Sequence, residues 1–561
     1  MNTTSTKSRA KKQSNSAPRI TKPTEVVSRG EISERAWQIS ALAILVVGAF
    51  LRLFNLSLVP LHHDEGVNGN FLVSLVRNGT YTYDPNNYHG PTLYYFSAVI
   101  PWLARFFGGK GFGEAHGLTT FNVRFVTAAF GVATIGLALL LRKQLGTIGA
   151  LSAAGLIAIS PGAVYLSRYF IHESLYVFFT LGIIVAALRY YDTGAAVYLI
   201  LGAISTALMV ATKETWIING PVLLVALITT IVYFWLRKWL DISNESKTDT
   251  GQTEDGLERF GGAISIATVA LVAFTVFIVV NVFFYSSFFT NYPKGVYDGL
   301  QTLALWRKRT QEHAHPWSQY IKWLLLEEGL VLTLAGLGAL IAVWRANNRF
   351  AVFIAQFAFG LLAAYSLVGY KTPWISLNFI VPLALTSGYA LNVAHEKLCD
   401  FQQPKLFVVP ALLIVAICGY QMYQLNFVHY DDDQYVYVYA HTRRETLVML
   451  EQIDRLANKM KTGTDTGIAL VSPEYWPLPW YFRNYQRVGY YQKVVPTTEP
   501  IIIGSVGQEE EIRATYGDRY RQIDSSQLSD PRIDPKQNPG GSFSLRPGVD
   551  LLLYVRSDVV R

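Results

Sequence analysis

His62, His63, Asp64 and Glu65 stand immediately after the first long apolar run of the chain. Two adjacent carboxylates at the end of such a run place acid–base groups at a water–membrane boundary. Ionisable residues there are costly and usually carry function. A carboxylate so placed is a candidate general base, able to take a proton from an acceptor hydroxyl. The structural alternative is that Asp64 caps a following surface helix, with its charge on the helix N-terminal dipole. His89 lies in the same loop, and His172, His313 and His315 lie in others. Imidazoles with carboxylates can bind a divalent metal, so His63, His89 and Glu65 are candidate ligands. No tight spacing such as H-E-x-x-H is present, and interfacial histidines are the other reading.

Further polar clusters interrupt the apolar pattern at Arg168, His172–Glu173, Lys213–Glu214 and Tyr370-Lys371-Thr372-Pro373-Trp374. Cations at the outer ends of spans oppose the usual charge bias and need a reason. Ion pairing within the set, such as Lys213 with Glu214, is one. An anionic headgroup such as phosphate is a second, and snorkelling to lipid phosphates is a third.

The elements that position these groups are long apolar segments. Hydrophobic residues make up 51% of the 561-residue chain and charged residues only 16%, against about a quarter in soluble domains. A run of roughly 20 apolar residues spans a bilayer. The distribution of Lys and Arg predicts about eleven spans: 37–58, 119–141, 147–166, 171–190, 195–212, 216–237, 263–287, 323–344, 348–369, 374–394 and 405–424. The N-terminus lies inside and the C-terminus outside. Residues 91–107, with Pro101 and Arg105, then lie on the outer surface rather than span. Residues 68–78, with Phe71, Leu72, Leu75 and Val76 on one face, form a second surface helix. The positive inner ends fix this topology independently of the polar clusters, yet it gathers nearly all of them on the outer side, including Tyr88–His89.

Much of the net charge of +8 lies in the first 36 residues, a polar tail expected to be disordered and cytoplasmic. It reads as positive-inside bias rather than as a nucleic-acid arm. Residues 241–260 read as a polar cytoplasmic loop. The two cysteines, Cys399 and Cys418, imply no disulfide framework. From about 430 a helix is expected at 443–460, and short apolar runs at 467–471, 500–503 and 550–555 read as strands. The aromatic stretch Pro473–Arg483 reads as a domain core, a membrane-surface patch or an acceptor groove. No P-loop or Rossmann fingerprint is present, which disfavours an ATP-driven pump and a cytoplasmic nucleotide-sugar enzyme.

The order of these motifs resembles the membrane-embedded GT-C glycosyltransferases, in the branches of protein O-mannosyltransferases and aminoarabinose transferases. The likeness is carried by Asp64-Glu65 after the first span, then Tyr88-His89-Gly90-Pro91-Thr92-Leu93, then Arg124 in Phe121-Asn122-Val123-Arg124-Phe125. Lys213-Glu214-Thr215, Tyr370–Trp374, Tyr439-Ala440-His441-Thr442 and Trp480-Tyr481-Phe482-Arg483 are similar to a bacterial and archaeal flippase-associated, mannosyltransferase-like group. The chain departs at Thr92, where the family has a second proline, and lacks a mannosyltransferase-type insert. The resemblance implies a polytopic α-helical GT-C domain over 37–429, while the helix and short apolar runs after it read as a small extracytoplasmic α/β domain over 430–561. It implies a cell-membrane enzyme whose donor is a polyprenyl-phosphate sugar, with the acceptor left open. Asp64 is then the expected base, with Glu65 orienting it or holding a metal. Arg168, Glu173, Lys213 and Lys371 are expected at the donor phosphate or substrate, and His89 and Arg124 are expected to shape the loop. No cofactor beyond that optional divalent metal is expected. A lipid-linked saccharide flippase or transporter component is the alternative. It would place polar groups at mid-bilayer in broken helices.

Overall fold

The computed structural model describes residues 32–87, 89–240, 262–308, 313–534 and 538–560. The expected tail, Tyr88 and the 241–260 loop lie largely or wholly outside these residues. The first half of the bundle comprises α1 (Glu34–Leu53), α2 (His63–Asn78), α3 (Thr92–Gly117), α4 (Thr120–Leu139), the single turn α5 (Arg142–Leu145), α6 (Thr147–Ile159), α7 (Pro161–Ser167), α8 (Glu173–Thr193), α9 (Ala196–Thr212) and α10 (Trp216–Trp239). The second half comprises α11 (Gly262–Tyr285), α12 (Lys294–Lys308), α13 (Gln319–Glu327), α14 (Gly329–Arg345), α15 (Arg349–Leu367), α16 (Leu377–Asp400) and α17 (Val408–Tyr423). Among the described residues eight helices are long and apolar enough to cross a membrane, and two bent pairs raise this to ten. Ala196–Thr212 is a shorter apolar helix, so the segments match the expected ones. α16 runs through the centre of the bundle, while the 267–285 part of α11 lies at its edge and packs on it only through partly buried residues such as Val280, Phe284 and Tyr285.

Two of the expected spans, 147–166 and 323–344, are bent pairs of helices. α6 and α7 meet at 59°, and α13 and α14 at 111°. Each break frees backbone groups that no water can satisfy in a bilayer. Two buried polar side chains satisfy those at the first break. Arg52 donates to the carbonyls of Ile157 (2.9 Å) and Ala158 (3.1 Å). Glu328, at the second break, accepts from Ser160 Oγ (2.6 Å) and from Gly162 N–H (2.8 Å) at the start of α7. The two bends are thus pinned to each other.

α3 runs ten residues beyond the expected surface segment. It encloses Pro101 and breaks at Gly109, whose φ is 81°. It is not among the helices apolar enough to cross. α2 begins five residues earlier than its apolar face suggests, because a capping box starts it at His62 (see below), and it buries Leu72, Leu75 and Val76 as expected.

The C-terminal part comprises α18 (Glu445–Lys459), β1 (Ile468–Leu470), α19 (Leu478–Tyr481), β2 (Val488–Tyr490), β3 (Ile501–Ser505), α20 (Glu509–Tyr516), β4 (Tyr520–Ile523), β5 (Phe543–Arg546), β6 (Val549–Arg556) and α21 (Ser557–Val560). The sheet order is β2-β1-β3-β6-β4, with β5 also on β6. β1 pairs parallel with β2 and β3, and β6 is antiparallel to its neighbours. The three expected apolar runs are β1, β3 and β6; β2, β4 and β5 are too polar or short to show a pattern. The aromatic stretch divides between two cores. Leu478 and Phe482 join the core of the sheet domain, whereas Trp480 is buried against the bundle. A Cβ on Gly69 would lie 2.6 Å from the Trp480 ring, so α2 must be bare at that position for the domain to dock.

Candidate active site

His62, rather than Asp64, is the N-cap of α2. Its Nδ1 accepts the Asp64 N–H (3.0 Å), and Glu65 reaches back to accept the His62 N–H (2.9 Å). This reciprocal box satisfies two orphan donors and leaves the Asp64 carboxylate unspent. Successive helical residues are rotated by about 100°, so the two adjacent carboxylates face different ways. Asp64, Val67 and Asn68 look into a cavity of about 540 Å³. Glu65 looks into the protein and is fully buried.

Glu65 is saturated there. It receives Arg124 Nε at 2.7 Å, Arg124 Nη2 at 2.6 Å and Phe170 N–H at 2.7 Å. The rest of the Arg124 guanidinium donates to the carbonyls of Val59 (2.8 Å), Leu56 and Pro60 (both 3.1 Å). Burial alone would raise the Glu65 pKa, but the guanidinium outweighs it and holds the carboxyl below its usual range. The pair therefore fixes the loop between α1 and α2 to α4, and neither partner lines the cavity.

The cavity lies where the ends of several helices meet the sheet domain. Glu173, Lys213, Glu214 and Thr215 line it from the bundle, His63, His89 and Asn87 from the first loop, His313, Tyr370 and Trp374 from later loops, and Tyr439, Ala440 and Arg546 from the C-terminal region. Lys213 and Glu214 do not pair with each other, as expected for one reading. Lys213 Nζ binds buried Glu173, and Glu214 Oε2 lies 3.0 Å from His89 Nδ1. That second contact depends on a close approach: Gly90 N–H donates to Thr212 O (3.0 Å), and a Cβ on Gly90 would fall 1.9 Å from Ala211 O. Asp64 has no hydrogen-bond or ion-pair partner among the described residues, whereas the other two cavity carboxylates are both paired.

The structure does not bring Arg168 or Lys371 to the cavity. The Arg168 guanidinium is spent on the C-terminal carbonyls around α1, at Leu51 (3.0 Å), Phe54 (2.7 Å) and Asn55 (2.9 Å). Lys371 is buried and donates to Val368 O. The metal candidates are likewise held apart, His63 by Arg546, His89 by Glu214 and Glu65 by Arg124. Among the described residues no group of three or more His, Cys, Asp or Glu side chains is arranged to hold a metal, so the three candidate ligands do not form a metal site together. His172 binds Gly90 O at 3.1 Å behind the His89 ring. His441 packs against His62 at 5.3 Å. Burial holds both His62 and His441 below the usual imidazole range, His441 at about 4.

Arg546 was not foreseen. It enters from β5, 483 positions from the His63 it touches at 3.0 Å, and no local pattern announces such a contact. Asn68 was foreseeable, since it follows Asp64 by four residues and so shares its helix face.

The sequence matches the family described as Oligosaccharyl transferase STT3, N-terminal, over residues 53–453. Solved structures share the fold at low identity. ArnT from Cupriavidus metallidurans bound to undecaprenyl phosphate has a TM-score of 0.55 and 14% identity, covering 93% of this chain and 98% of that one. The apo oligosaccharyltransferase of Archaeoglobus fulgidus has a TM-score of 0.52 and 13% identity, covering 85% and 70%. The archaeal oligosaccharyltransferase AglB from Archaeoglobus fulgidus, in complex with an inhibitory peptide and a dolichol-phosphate, has a TM-score of 0.50 and 14% identity, covering 84% and 70%. No curated protein sequence matches. The architecture is that of the GT-C superfamily.

Proposed function

We propose that this chain, which belongs to the oligosaccharyl transferase STT3 family and is a multi-pass membrane glycosyltransferase of GT-C type, moves a sugar from a polyprenyl-phosphate-linked donor to an acceptor hydroxyl. The observation that carries the reading is the unpaired Asp64 carboxylate, facing a polar cavity whose other carboxylates each have a side-chain partner. The phosphates bound to the two structural relatives are lipid phosphates, in keeping with a lipid-linked donor here. The donor's isoprenoid tail lies along the apolar faces of the bundle, and its phosphate and sugar enter the cavity.

Asp64 takes the proton of the acceptor hydroxyl as that oxygen attacks the anomeric carbon. The bond from that carbon to the phosphate oxygen breaks through an oxocarbenium-like state, and polyprenyl phosphate leaves. A single displacement inverts the anomeric centre. Charge developing on the leaving phosphate is met by Lys213, a cation preorganised by Glu173. Glu65 and Arg124 act on this chemistry only by fixing the helix that carries Asp64. The cavity opens on the outer face of the cell membrane, with the N-terminus inside.

The test is reconstitution in liposomes with labelled polyprenyl-phosphate sugars and soluble, peptide and lipid acceptors. The reading expects label on the acceptor and stoichiometric release of polyprenyl phosphate. Scrambling of the intact lipid across the bilayer, with no label transferred, would instead support a flippase.

A further inference from the structure

The adjacent rings of His62 and His63 spend their nitrogens differently. His62 Nδ1 accepts the Asp64 N–H, so its proton sits on Nε2, which lies 3.3 Å from Tyr439 O. Both His62 nitrogens are thus used by the protein. His63 Nδ1 lies 3.0 Å from Arg546 Nη1. A guanidinium can only donate, so His63 Nδ1 accepts and the neutral ring carries its proton on Nε2. That N–H has no partner among the described residues, and His63 lines the cavity beside Asp64.

Arg546 is itself held in aim. Its Nη2 donates to Glu474, and the β5–β6 register shifts between Ser544 and Arg546. A bulge of this kind re-aims a side chain at the edge of a sheet. The sheet domain thereby delivers one guanidinium to the first turn of α2, where the base is carried.

We propose that Arg546 is a positioning residue of the transfer reaction: it fixes His63 as the Nε2–H tautomer, and that N–H donates to an oxygen of the bound substrate next to Asp64. The proposal rests on the sugar-transfer reading above. The oxygen belongs either to the donor or to the acceptor, and the two are separated by which KM rises. A partner that sets the tautomer of a working imidazole is worth about tenfold or more when removed.

The experiment compares wild type, Arg546→Met, His63→Gln and the double variant, all full-length and reconstituted. Glutamine places an amide N–H near the Nε2 position without needing a tautomer to be set. Arg546→Met is expected to lower kcat/KM about tenfold in the wild-type background. His63→Gln lowers it by itself, and adding Arg546→Met to His63→Gln lowers it no further. A rise in the donor KM assigns the contact to the donor, and a rise in the acceptor KM to the acceptor. Equal losses from Arg546→Met in both backgrounds, or no loss in the first, would overturn the proposal. A second arm does not need turnover: ¹⁵N spectra of histidine-labelled protein, with His63→Gln to assign the signal. Wild type should show His63 protonated at Nε2 alone, and Arg546→Met a mixture of tautomers; the same mixture in both would refute the proposal. A wild type that transfers no sugar yet shows the fixed tautomer refutes the functional reading and leaves the Arg546–His63 assignment standing.

Discussion

Adjacent carboxylates with opposite fates are the main lesson at the scale of residues. Asp64 was legible as a candidate base because an ionisable residue at the end of an apolar run usually carries function, although its spacing equally suited a helix cap, a place that His62 takes instead. The division of labour with Glu65 was not legible, because it depends on where α2 begins. With the helix started at His63, the 100° step between neighbours sends one acid to the cavity and the other to Arg124. Breaking a buried, hydrogen-bonded ion pair by removing one partner costs about 3–5 kcal/mol. Glu65→Gln or Arg124→Met should therefore destabilise the protein by that amount in chemical denaturation, and the double variant by clearly less than the sum. Additive losses would mean that the two side chains do not act as a unit.

At the scale of elements, hydrophobic runs gave the spans and their order, since about 20 apolar residues have few other uses. The bends were harder to see, though signals exist: Ser160-Pro161 is a helix start, and Glu327-Glu328-Gly329 is a poor helix interior for a bilayer. The loop that carries His89 lies directly on the end of α9. Gly90→Ala should push it away, separate His89 from Glu214 and reduce transfer. Gly111→Ala, where an added Cβ meets nothing within 4 Å, is the matched control and should behave as wild type in the same assay. The segment after α17 has its own pH signature. Burial lowers the His441 pKa to about 4, while in the unfolded chain it titrates near ~6.5. The unfolded state thus binds more protons between these values, so stability is full above about 6.5 and falls as pH drops toward about 4. The unfolding temperature should follow that course. His441→Gln should flatten it in part; an unchanged slope would show that His441 is not buried neutral.

For the whole molecule, the charge asymmetry of the sequence led to one polar end of the bundle, and the cavity gathers His63, Asp64, His89, Glu173, Lys213, Glu214, His313 and Tyr370 at one place. What the sequence could not show is that the sheet domain closes that end. Arg546, Tyr439 and the docking of Trp480 on Gly69 are contacts between parts of the chain hundreds of residues apart, and they leave no periodic trace. The orientation in the membrane is open to direct measurement. In a Cys399→Ser/Cys418→Ser background, Asn86→Cys should react with a membrane-impermeant maleimide added to intact cells. Reaction only after the cytoplasmic side is exposed would invert the topology.

The most direct trial of the account is Asp64→Asn, followed by donor binding and sugar transfer on one preparation. The variant should bind the polyprenyl-phosphate sugar within about threefold of wild type, while kcat falls at least about a hundredfold. A variant that transfers sugar at the wild-type rate would contradict it.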